Sequence, residues 1–132
     1  IGMKLRVRLS YRDDSDSYLG DLAVWESAQN QLKKAVISNN LDYFEEEGEA
    51  AFYGPKIDFM ATEAIGREHQ VATVQLDFVQ PERFELSYKN SEGQDERPVM
   101  IHYALLGSIE RFILSIKLAG LIFGRLLSKF EF

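Results

Sequence analysis

Leu5, Val7 and Leu9 alternate with Lys4, Arg6, Arg8 and Ser10, and this period of two predicts a half-buried strand. The polar run Arg12-Asp13-Asp14-Ser15-Asp16-Ser17 cannot continue it and reads as a loop. Gly20-Asp21 opens a helix, because Asp21 can accept from free backbone amides. Leu22, Trp25, Ala28, Leu32 and Val36 follow at helical spacing, and Asn39-Asn40 supplies a stop. Trp25 reads as a core anchor. Residues 41–44 form a short strand candidate, and Glu45-Glu46-Glu47-Gly48-Glu49 reads as an acidic turn on solvated surface.

Further on, Ile57, Phe59 and Ala61 alternate with Asp58, Met60 and Thr62, and Gly66 marks a turn. Alternation resumes with Val71, Thr73, Gln75 and Asp77 on one face and Ala72, Val74, Leu76 and Phe78 on the other. These segments predict a hairpin with one polar and one apolar face. Gln70 stands at the strand entry, where register can slip. A second hairpin is expected from residues 84–89 and 97–103 around Asn90-Ser91-Glu92-Gly93. Gly107-Ser108 then opens a helix with Ile109, Phe112, Ile113 and Ile116 on its apolar face, ending near Gly120. Strand, helix, antiparallel strands and helix together predict an α+β fold, an antiparallel sheet flanked by helices, over a single domain of 132 residues.

Composition narrows the possible functions. Hydrophobic residues reach 45%, with nine Phe, six Tyr and one Trp, enough to build a core. The net charge of −6 lacks the basic footprint of a domain that grips nucleic acid unaided. The absence of cysteine excludes disulfides, thiol nucleophiles and cysteine-ligated metal within these residues. No apolar run follows the basic start, so no signal peptide is expected, and a cytoplasmic setting fits. The stretch 104–130 is apolar, but Glu110, Arg111, Lys117 and Arg125 interrupt it. Its longest unbroken run falls well short of the ~20 residues that span a bilayer. A buried or amphipathic helix is the better reading there.

Three places carry candidate chemistry. In Phe52-Tyr53-Gly54-Pro55-Lys56 a fixed Gly-Pro loop sets a phenol and an ammonium close together, although an ordinary exposed turn would look the same. The polar strand face offers Gln70, Thr73, Gln75 and Asp77. Finally, a strand delivers His102, a turn of small residues follows, and Arg111 falls in the first turn of a helix, where a guanidinium can stack on a base or approach phosphates. Taken singly, His102 reads as structural and Arg111 as a surface residue.

Taken together, Tyr53-Gly54-Pro55-Lys56-Ile57-Asp58-Phe59, Thr73-Val74-Gln75-Leu76-Asp77-Phe78, Pro81-Glu82-Arg83-Phe84, Pro98-Val99-Met100-Ile101-His102 and Gly107-Ser108-Ile109-Glu110-Arg111-Phe112 resemble the catalytic domain of threonyl-tRNA synthetases, a class II aminoacyl-tRNA ligase family. The resemblance runs from about residue 5 to residue 112 and more weakly to 120, while 121–132 diverge. It implies the later part of a class II catalytic core. Tyr53 would contact the amino group of threonine, and Lys56 the region of its carboxylate and the α-phosphate. Gln70, Thr73 and Gln75 would line the adenylate site. His102 would be one of three protein ligands to Zn2+. Ser108 and Arg111 would belong to the strand–helix unit that holds ATP, with Lys56 and Arg111 as the catalytic cations beside Mg2+. Threonine, ATP, tRNA(Thr) and a second subunit of a homodimer are the implied partners.

The resemblance also places the remaining zinc ligands, a second ATP-binding arginine and the dimer-forming motif before residue 1. The chain alone is therefore expected to be inactive, and an exposed sheet edge would favour self-association. His69 stands where the family commonly has Trp and Tyr103 where it usually has Arg; a metal-ligand role for His69 is the weaker alternative. Two other functions compete with the ligase: a non-catalytic synthetase-like binding or regulatory module, and a membrane-surface protein using residues 109–130 as an amphipathic helix.

Overall fold

A computed structural model describes residues 4–62 and 66–105 of the chain. In chain order the elements are β1 (Lys4–Tyr11), α1 (Leu22–Ser38), β2 (Tyr43–Glu47), β3 (Lys56–Thr62), β4 (Glu68–Asp77), α2 (Val79–Arg83), β5 (Tyr88–Lys89), β6 (Asp95–Glu96) and β7 (Met100–Ala104). Five strands form one sheet in the order β2-β1-β3-β4-β7, and β5 and β6 form a separate small ribbon. All neighbours in the main sheet are antiparallel except β1 and β2, which run parallel. The α+β architecture thus stands, with one parallel edge added. The predicted second helix lies outside the described residues.

Helix α1 begins and ends where its residues dictate. Asp21 Oδ1 accepts from the Ala23 amide at 3.1 Å, and Asn39 closes the far end, followed by Asn40 at φ 52°. Trp25, Ala28, Leu32 and Val36 form its buried stripe. Leu32 and Val36 pack on Val7, Leu9 and Ile57 across the apolar sheet face, with Phe59, Val74 and Leu76 around them. Trp25 is fully buried, meets Tyr18 and Phe78 edge to face, and donates its indole N–H to the Leu19 carbonyl at 2.8 Å.

Three sequence expectations need correction. The acidic run is not a turn: Glu45, Glu46 and Glu47 belong to β2, and only Gly48, at φ +81°, turns. Cross-strand and helix partners offset the charge there, since Lys33 reaches Glu45 at 2.6 Å and Arg8 reaches Glu46 at 3.2 Å. The second hairpin shrinks to two-residue strands, and β7 leaves it to pair with β4. Between them Asp77 and Val79-Gln80-Pro81 turn the chain into α2. The third correction concerns β4, which starts at Glu68 and carries a bulge. Phe59 faces Ala72 but Met60 faces Gln70, leaving Val71 as the extra residue.

Two features fix the polar face. Asp58, fully buried in β3, gathers Ser10 Oγ at 2.7 Å, Arg8 Nη2 at 3.1 Å and Lys56 Nζ at 3.4 Å on one oxygen. Burial alone would raise its pKa, but the Ser10 hydroxyl, Lys56 and Arg8 outweigh that and hold the carboxyl below its ordinary 3.8. The second feature is Gly54. A Cβ there would lie 2.0 Å from the Leu76 carbonyl oxygen, so the loop before β3 rests directly on the β4 backbone. Ala51 and Gly54 exchange backbone hydrogen bonds at 3.1 Å around Phe52-Tyr53, and the Leu76 amide donates to Pro55 at 3.1 Å.

Replacing Asp58 with Ala removes the buried counter-ion of Lys56 and of Arg8 Nη2 and is expected to destabilise the chain by about 3 kcal/mol in urea unfolding. Because Asp58 has a depressed folded pKa, its stabilising share is present above 3.8 and is lost as pH falls through the folded value. Wild type should therefore lose stability faster than Asp58→Asn over that acid range. Gly54→Ala should lift the loop from β4, seen as shifted amide resonances for Leu76 and Asp77; unchanged resonances would refute the contact.

Candidate active site

Residues opposite one another in a ladder share a face, so the register reads out the polar surface row by row. One row crosses all five strands: Glu46, Ser10, Lys56, Gln75 and His102. The next runs Phe44, Arg8, Asp58, Thr73 and Ala104. Beyond it Arg6 faces Met60, and Met60 faces Gln70. Strict alternation from Thr73 would have put Val71 and His69 on this surface. The bulge substitutes Gln70 and turns His69 towards the helix-bearing face, opposite Ala61.

Tyr53 closes over the first row from the Gly54 loop. Its hydroxyl donates to Gln75 Oε1, and its ring meets His102 edge to face with centroids 5.6 Å apart. Burial, with the nearby Asp77 charge, raises the Tyr53 pKa and keeps the phenol a hydrogen-bond donor. His102 is about one-third exposed, and its Nε2 lies 2.8 Å from Oδ2 of fully buried Asp77. The other Asp77 oxygen accepts from the amides of Val79 at 3.0 Å and Gln80 at 2.9 Å.

The structure therefore brings Tyr53, Lys56, Gln75 and His102 into one neighbourhood, with Thr73 and Gln70 on the following rows of the same face. Ser108 and Arg111 lie outside the described residues. Among the described residues no group of three metal-ligating side chains stands together. Three supporting residues were not singled out from sequence: Arg8, Ser10 and Asp58. Alternation placed each on the polar face, yet their convergence depends on the β1–β3 register. Chemically the surface offers a phenol donor, an ammonium, two amides and an imidazole over a floor of buried charge pairs. Such a set suits a zwitterionic or phosphorylated ligand.

Among the described residues no helix is long and apolar enough to cross a membrane. Residues 2–118 match the family described as tRNA synthetase class II core domain (G, H, P, S and T). The threonine–tRNA ligase of Lactiplantibacillus plantarum is 52% identical over 110 residues, covering 82% of this chain and 17% of the relative. That of Gloeobacter violaceus is 54% identical over 114 residues, 86% of this chain and 18% of the relative. The chain thus spans under one-fifth of the length of these relatives. Among solved structures, the RNA-binding domain of threonyl-tRNA synthetase from Cryptosporidium parvum superposes with a TM-score of 0.75 at 43% identity, covering 84% of this chain and 28% of that one. With the sheet, the order of its segments and these relatives in agreement, the chain belongs to the class II tRNA synthetase core family, on its threonyl-tRNA synthetase branch.

Proposed function

We propose that this chain supplies part of the catalytic core of a threonine–tRNA ligase, which activates threonine with ATP and transfers it to tRNA(Thr). The observation that carries this reading is the row Lys56–Gln75–His102 with Tyr53 closed over it, on one face of a sheet whose relatives are threonine–tRNA ligases. The Tyr53 hydroxyl and Gln75 form a polar wall for the amino end of threonine. Lys56 stands one strand away for the carboxylate and the α-phosphate. Gln70, Thr73 and Gln75 line the adenylate, and Ser108 and Arg111 complete the ATP contacts.

Activation joins a threonine carboxylate oxygen to the α-phosphorus and expels pyrophosphate with the electrons of the broken P–O bond. The protein's share is to orient both reactants and to place cationic charge where negative charge builds up. Lys56 suits this because Asp58 tethers it on a rigid strand. Magnesium would accompany ATP. His102 fits a zinc site as one ligand, since its imidazole is anchored by a buried carboxylate, the usual support of a metal-binding histidine. Zinc would supply Lewis-acid positions for the amino and hydroxyl groups of threonine, a basis for rejecting valine, which lacks the hydroxyl.

Pyrophosphate exchange tests the reading. In the longer ligase, Lys56→Ala and Arg111→Ala should each lower threonine-dependent exchange by about 10²–10³-fold. The isolated 132-residue chain should show none. Undiminished exchange in Lys56→Ala would favour a binding or regulatory module instead, and robust exchange by the chain alone would show that half of the site suffices.

A further inference from the structure

Asp77 uses its two oxygens differently. Oδ1 holds the amides of Val79 and Gln80 at 3.0 and 2.9 Å, and Oδ2 lies 2.8 Å from His102 Nε2. The side chain is fully buried, so it cannot swing away from His102 without leaving those amides unpaired in a dry interior. A carboxylate only accepts, so the proton in the contact sits on Nε2. A neutral ring protonated there carries its lone pair on Nδ1. Among the described residues Nδ1 makes no hydrogen bond, and the Tyr53 ring restrains the imidazole from one side.

We propose that Asp77 is a positioning residue that sets both the tautomer and the ring angle of His102, making Nδ1 the nitrogen offered to a ligand. The metal consequence rests on the reading of His102 as a zinc ligand; the tautomer itself does not. A histidine one-third exposed and otherwise unrestrained could present either nitrogen. Here the choice is wired to the backbone through the first turn of α2, so the β4–α2 corner determines how the neighbouring strand addresses the site.

Asp77→Asn separates the two tasks. Its amide oxygen can still accept from Val79 and Gln80, while its NH2 now donates to Nε2 and drives the proton to Nδ1. Nitrogen-15 NMR of the 132-residue chain, at a pH where the ring is neutral, should show the Nε2–H form in wild type and the Nδ1–H form in Asp77→Asn. The same tautomer in both would overturn the proposal. Asp77→Ser keeps an amide acceptor without reaching His102 and should give a mixture, a check should Asp77→Asn fold poorly.

In the longer ligase, Asp77→Asn should weaken zinc binding about 10–100-fold by competition with a chelator, with the thermal midpoint of the metal-free protein unchanged. Wild-type zinc affinity in Asp77→Asn, alongside zinc loss in His102→Ala, would sink the role of Asp77 and leave the zinc reading intact. Unchanged zinc binding in His102→Ala would overturn the zinc reading itself, and the NMR result would then decide the positioning role alone.

Discussion

A carboxylate removed from water is the constraint around which this sheet is organised. Isolating such an ion costs several kcal/mol unless charge and hydrogen bonds replace the lost solvent. Asp58 meets that demand with groups from both β1 and β3, and they must arrive together. Arg8 and Ser10 lie two residues apart on one strand, and Lys56 and Asp58 two apart on the next. A slip of one residue would turn both partners on β1 to the other face. The buried charge therefore specifies alignment, while the apolar contacts of Leu32 and Val36 with Val7, Leu9 and Ile57 supply cohesion on the far side.

The same arrangement prepares Lys56 for work. A free lysine samples many rotamers and must be ordered when a ligand arrives. Here the side chain is already largely enclosed and tethered, so less ordering remains to be done on binding. Asp77 extends the logic to the other end of the row. Two carboxylates with no solvent exposure thus flank the polar face, one holding a cation and the other an imidazole.

Much of this was legible in the residues, and the gaps have physical causes. Helix α1 was readable because its cap, apolar spacing and stop agree from Asp21 to Asn39. Alternation in β3 correctly put Asp58 among polar neighbours, but it carries no information on which strand lies alongside. That is why the meeting with Arg8 stayed hidden. Glu45–Glu47 misled because charge suggests exposure, and an edge strand can be exposed and still be a strand. Residues 97–103 were assigned to a local hairpin because nearby pairing is the cheapest guess in entropy. The open flank of β4 won instead, as five ladder pairs outweigh two. The site residues were recognisable as a set only through their resemblance to a family, since Tyr53, Gln75 and His102 come from three separate segments.

The extra residue at Val71 has a consequence for how this strand tolerates change. Upstream of it the odd-numbered side chains face α1's layer, and downstream they face the ligand side. Deleting Val71 would close the ladder with Gln70 still opposite Met60, whereas pairing every residue now present in strict alternation would bring Val71 and His69 to the ligand side. A substitution alters one side chain, whereas losing the bulge with its residue retained would exchange the upstream half of the surface. The surface upstream of Thr73 thus depends on the bulge being formed and not on which residue occupies it.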